Sequence, residues 1–76
     1  MEYPTYRTGY LGRGYTVHVL RLAAPDPFYR SLCRPRWSGG IMTLSGPIAP
    51  EDKAGELSFV TCSRCHAAFE KTPVLA

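Results

Sequence analysis

The chain has 76 residues, 45% of them apolar and 20% charged, with a net charge of +3. That length admits one small domain, the balance excludes a disordered chain, and the charge alone is too modest to argue nucleic-acid binding. A core this small offsets the entropy of folding with difficulty, so natural domains of this size often add a staple. The chain holds three cysteines and two histidines. Three cysteines cannot all pair with one another, whereas three cysteines and one histidine complete a four-ligand zinc site.

The longest uninterrupted apolar runs are three residues, as at 22–24 and 67–69. A membrane span needs about twenty and the core of a secretory signal about seven to fifteen. The expectation is therefore a cytoplasmic protein with no membrane partner, in which thiols stay reduced and clustered cysteines bind metal. Charge is unevenly spread. Residues 1–37 carry Arg7, Arg13, Arg21, Arg30, Arg34 and Arg36 against Glu2 and Asp26, while residues 38–76 are slightly acidic.

In chain order, residues 1–14 are rich in Tyr, Gly and Arg, and Tyr3, Tyr6 and Tyr10 follow neither helical nor strand spacing. This segment reads as an arm or irregular edge, followed by a single domain over 15–76. Residues 15–22, YTVHVLRL, alternate and are β-branched or aromatic, so they predict a strand with His18, Leu20 and Leu22 on its inward face. Pro25 and Pro27 around Asp26 break regular structure. Leu32-Cys33-Arg34 reads as a short strand or tight turn, and Ser38-Gly39-Gly40 as a turn. Residues 41–45 form a short apolar strand closed by Gly46-Pro47. The stretch 49–55 suggests one helical turn with proline in its first turn. Residues 56–61 alternate and predict a third strand, Leu57 and Phe59 pointing one way and Val60 and Cys62 the other. Cys62-Ser63-Arg64-Cys65 forms a knuckle, and 66–71 a short helix limited by Pro73. The predicted architecture is a small metal-stabilised β-rich domain, zinc-ribbon-like, with antiparallel strands, a zinc knuckle and a short C-terminal helix.

Cys62 and Cys65, two residues apart, can place both sulfurs on one ion because the knuckle turns the chain back on itself. Cys33 supplies the third. For the fourth place His18 is preferred over His66, since His66 is joined directly to Cys65 and adjacent residues reach one tetrahedral ion only with strain. The predicted set is His18, Cys33, Cys62 and Cys65 around a structural Zn²⁺, a closed set with no position for substrate water. Buried or free cysteines with a core histidine are the bland alternative. Cys62 to His66 also fits the CxxCH pattern of covalent haem attachment, with Met42 or His18 as distal ligand. That reading leaves Cys33 without a role in a chain with little helix to wrap a haem.

Val17-His18-Val19-Leu20, Leu32-Cys33, Trp37 and Val60-Thr61-Cys62-Ser63-Arg64-Cys65 together resemble a pattern in short Cys₃His zinc-finger proteins of actinobacteria and their phages. The resemblance covers about two thirds of the chain, from His18 to Cys65. It departs where those proteins often have glycine after the middle cysteine and this chain has Arg34. It supports structural zinc, implies no enzyme activity and points to a phage or accessory origin; a protein of that kind and size is expected to act as a regulator that docks on a larger host machine.

The six acids have no spacing that suggests a working carboxylate pair, and Cys33 with His18 as nucleophile and base would spend the metal ligands. The expected role is thus non-enzymatic protein binding with no small-molecule substrate. Tyr3, Tyr6, Arg7, Tyr10, Arg13, Arg34 and Arg36 are the candidate partner-binding residues, because Tyr and Arg often anchor interfaces. The alternative is a transcription-related nucleic-acid-binding zinc finger, in which arginines contact phosphates and aromatics stack on bases.

Overall fold

The computed structural model describes residues 3–37 and 39–75. Met1 and Glu2 of the expected arm, Ser38 of the expected turn and Ala76 lie outside the described residues. The described elements are β1 (Thr5–Leu11), β2 (His18–Leu22), β3 (Arg30–Ser31), β4 (Ile41–Thr43), a 3-10 turn (Pro50–Asp52), α1 (Lys53–Leu57) and α2 (Ser63–Glu70). The strands form one antiparallel sheet in the order β3-β2-β1-β4.

The first correction concerns the expected arm. Its residues 5–11 are an interior strand, paired with β2 on one side and β4 on the other. Tyr6 and Thr8 alternate into the layer beneath α2, where Tyr6 is 4% exposed and its ring lies 5.3 Å from that of Phe69. Arg7 points to the other face and is satisfied by distant groups, the Tyr29 hydroxyl at 2.6 Å and the Ser45 carbonyl at 3.2 Å. Gly9 allows β4 and the Leu20 side chain of β2 to approach β1, because a Cβ there would collide with the Met42 carbonyl oxygen and with Leu20 Cδ1. Gly12 ends the strand with φ +59°, a left-handed conformation that glycine adopts without steric cost.

β2 begins three residues later than the predicted strand, at His18, and Tyr15 stands free of the fold at 92% exposure. Both Val19 and Leu20 are fully buried. The sheet is therefore covered on both faces, and strict alternation of inward and outward residues along β2 does not hold. α2 covers one face, where Tyr6, Val19, Ile48, Val60, Cys65 and Phe69 form the core. Chain segments outside the helices cover the other, over Leu11 and Leu20.

The second correction concerns 56–61, which is not a strand. Helix continues from the Pro50 turn through Leu57, and Ser58 and Phe59 form a turn. The pattern that prevails is i, i+3. Leu57 and Val60 pack into the core, while Phe59, expected beside Leu57, is 66% exposed. The expected strand at 41–45 is present as 41–43, and the expected C-terminal helix begins three residues earlier, at Ser63. Lys53 ties the two helices together: its ammonium lies over the Phe69 ring and donates to the carbonyls of Glu70 and Thr72 at the end of α2.

Candidate metal centre

His18, Cys33, Cys62 and Cys65 converge, with one donor atom from each and all four atoms within 4.8 Å of one another. None of the three cysteines is in a disulfide. His18 turns Nδ1 into the cluster, 3.3 Å from Cys33 Sγ and 3.6 Å from Cys65 Sγ. Ligands about 2.0–2.3 Å from a central tetrahedral ion lie about 3.3–3.8 Å from each other, and both distances from His18 Nδ1 to sulfur fall in that range.

Local structure explains the convergence. His18 is the first residue of β2 and pairs with Gly9. Cys33 follows the short β3, which the Leu32 amide extends by donating to the Val19 carbonyl. The knuckle is clipped to the start of β2. The amides of Thr61 and Cys62 both donate to the Val17 carbonyl, and the Val17 amide donates to Thr61 Oγ1. Cys62 caps α2, its sulfur accepting from the Cys65 amide. Cys65 then faces the core and is fully buried.

The surroundings favour the ligating forms unevenly. Burial, and after it the Arg34 guanidinium, lowers the His18 pKa and so favours the neutral imidazole that binds metal. Burial pushes the Cys62 thiol up, yet hydrogen bonds from the Cys65 amide, the Cys33 and Cys65 thiols and the Arg64 amide together hold it below the usual thiol range. Burial pushes Cys65 up to about 12, so its thiolate needs a cation beside it.

Sequence reasoning missed Ser31. This hydroxyl is 1% exposed, accepts from the Arg34 amide at 2.9 Å and lies 3.1 Å from Cys33 Sγ. Toward a Cys33 thiolate, which has no proton to give, the hydroxyl is the donor. Such outer hydrogen bonds orient metal ligands. A serine two residues before a cysteine carries no recognisable signal in one sequence.

His66 is not in the cluster. Its Nδ1 faces Glu70 Oε1 at 2.8 Å, one helical turn along α2. The haem-attachment reading fits poorly for the same reasons, since Cys65 is enclosed and His66 is engaged by Glu70.

The candidate partner-binding residues are dispersed by the fold. Tyr6 is a core residue and cannot present its ring to a partner, and Arg7 is held by Tyr29 and Ser45. Tyr10 is half-buried on β1. Tyr3, Arg13, Arg34 and Arg36 are exposed. Arg34 and Arg64 border an open hollow of about 390 Å³ beside the metal ligands. Among the described residues no helix is long and apolar enough to cross a membrane. Comparison with known proteins gives no match to any family model, curated protein or solved structure.

Proposed function

We propose that this protein is a small non-enzymatic module built around one structural zinc ion, working in the cytoplasm by binding another protein. The observation that carries the reading is the four-donor cluster of His18, Cys33, Cys62 and Cys65 within 4.8 Å. Three sulfurs and one nitrogen suit a borderline-soft ion with a tetrahedral preference. Protein donors in all four places leave none for water or substrate, which supports a structural role over a catalytic one. The ion would join β2, the segment after β3 and the start of α2, so its binding free energy would be largely folding free energy. A reducing compartment keeps the thiols available for it.

Native mass spectrometry tests the reading. One zinc per chain is expected in the wild type and in His66→Ala, and none in Cys62→Ser or Cys65→Ser. Those two variants, like the chelated wild type, should lose the dispersed amide spectrum of a folded chain. A metal-free wild type that keeps that spectrum overturns the structural role.

A second reading, nucleic-acid binding, draws on Arg34 and Arg64 at the hollow beside the ligands. It requires affinity for generic DNA or RNA that falls steeply with salt and is weakened in Arg34→Ala and Arg64→Ala.

A further inference from the structure

The sulfurs of the cluster are not equally enclosed. Cys65 is fully buried, grouped with Tyr6, Val19 and Phe69 in the core, and its Sγ lies 3.9 Å from the Val19 carbonyl. Cys33 and Cys62 are half-buried, and both line the open hollow of about 390 Å³ beside the cluster. Cys65 does not line it. Thr16, Arg34, Thr61, Ser63 and Arg64 form the other sides of the hollow and are all exposed, so solvent reaches two of the three sulfurs from one side.

The number of thiols sets what oxidation can do there. None of the three is in a disulfide, and the four donor atoms lie within 4.8 Å of one another. A disulfide bond is about 2.05 Å long, so two of these sulfurs have only a short gap to close. One such bond consumes two thiolates and leaves a single thiol beside His18. Two remaining donors do not make the closed set of four that holds a structural zinc ion.

We propose that Cys33 and Cys62 are the oxidant-sensitive edge of the metal centre: a peroxide entering the hollow joins them in a disulfide and releases the zinc, while Cys65 stays reduced. The proposal rests on the zinc reading above and adds its regulation. The thiolate of one cysteine attacks an oxygen of hydrogen peroxide, the O–O bond breaks, hydroxide leaves and a sulfenic acid forms. The other thiolate attacks that sulfur, the S–S bond forms, the S–O bond breaks and a second hydroxide leaves. Two protons from solvent convert the hydroxides to water. The sulfurs together lose two electrons and the peroxide gains them. A thiol reductant reverses the bond and restores the donor set. In the oxidised state the segment after β3 is tied to the start of α2 by a covalent bond, and His18 of β2 has lost its part in the junction.

The test adds hydrogen peroxide to the zinc-loaded protein, follows released zinc with a colorimetric chelator, and maps disulfides by peptide mass after free thiols are blocked. The expected result is release of about one zinc per peroxide consumed, a Cys33–Cys62 bond and a blocked Cys65. Zinc binding should return after reduction. Cys33→His keeps four donors while removing one accessible thiol, and should slow the release about tenfold or more. Release as fast as in wild type overturns the proposal. Where that variant holds no zinc, the bond mapped in wild type decides alone. A Cys62–Cys65 bond as the main product overturns the assignment of the pair, and zinc retained through oxidation overturns the switch. Both outcomes leave the structural zinc in place. A protein that holds no zinc before peroxide is added overturns the metal reading and the switch together.

Discussion

On one face of the sheet, Tyr6 and Val19 are pressed against Phe69, and the metal ligands border the same core. On the other, Leu11 and Leu20 are covered by chain segments without helix, and Arg7 bridges Tyr29 to Ser45. The first face is held by apolar burial and a cluster of metal donors. The second is held in part by polar contacts that water can replace at modest net cost, and an open cleft of about 590 Å³ lies between Phe28, Tyr29, Trp37 and the Ile41–Thr43 strand. The difference lies in what holds each side: apolar packing against α2 on one, polar contacts from residues distant in sequence on the other.

That comparison can be broken by measurement. Phe69→Ala should be the most damaging, since it empties a fully buried site against Tyr6 and Lys53. A loss of about 3–5 kcal/mol is expected for such a truncation, read from denaturant unfolding of the zinc-loaded protein. Arg7→Ala should cost about 1.5–3 kcal/mol, the usual range for hydrogen bonds to a charged group. If it matched Phe69→Ala, the two faces would not differ in kind. Asp26→Asn should change neutral-pH stability least, because the pair with Arg30 is at the surface. Its pH dependence is specific. The hydrogen bond from Arg30, and next that from the Phe28 amide, lower the Asp26 pKa in the folded chain. The contribution is therefore present above the unfolded value of about 3.9 and lost as pH falls through the lower folded value. Thermal melts of wild type and variant should converge in that acidic window, and a gap that widens there contradicts the assignment.

The four donors were legible because ligand chemistry is local and countable: two cysteines in a knuckle, a third cysteine, and one histidine not adjacent to another ligand. β1 was not legible. Its outward face carries Arg7 and Gly9, which satisfy strand requirements only through Tyr29, Ser45 and the close approach of Met42 and Leu20. Those partners are far away in sequence. Residues 56–61 misled for a different reason. Leu57, Phe59 and Val60 fit both a two-residue and a three-residue period, and the core chose the second. The partner residues read from Tyr and Arg content failed at Tyr6, because a tyrosine that anchors interfaces is equally suited to filling a small core.

The placement of the metal donors along the chain sets an order of events during synthesis. His18 and Cys65 are 47 residues apart, whereas β1 and β2 adjoin and can pair while most of the protein is still being made. Until Cys65 leaves the ribosome the donor set stays incomplete and α2 has no core to close. β1 and β2 can therefore pair before the donor set is complete, and the face they turn toward α2 stays uncovered until the segment from Cys62 to Phe69 has been made.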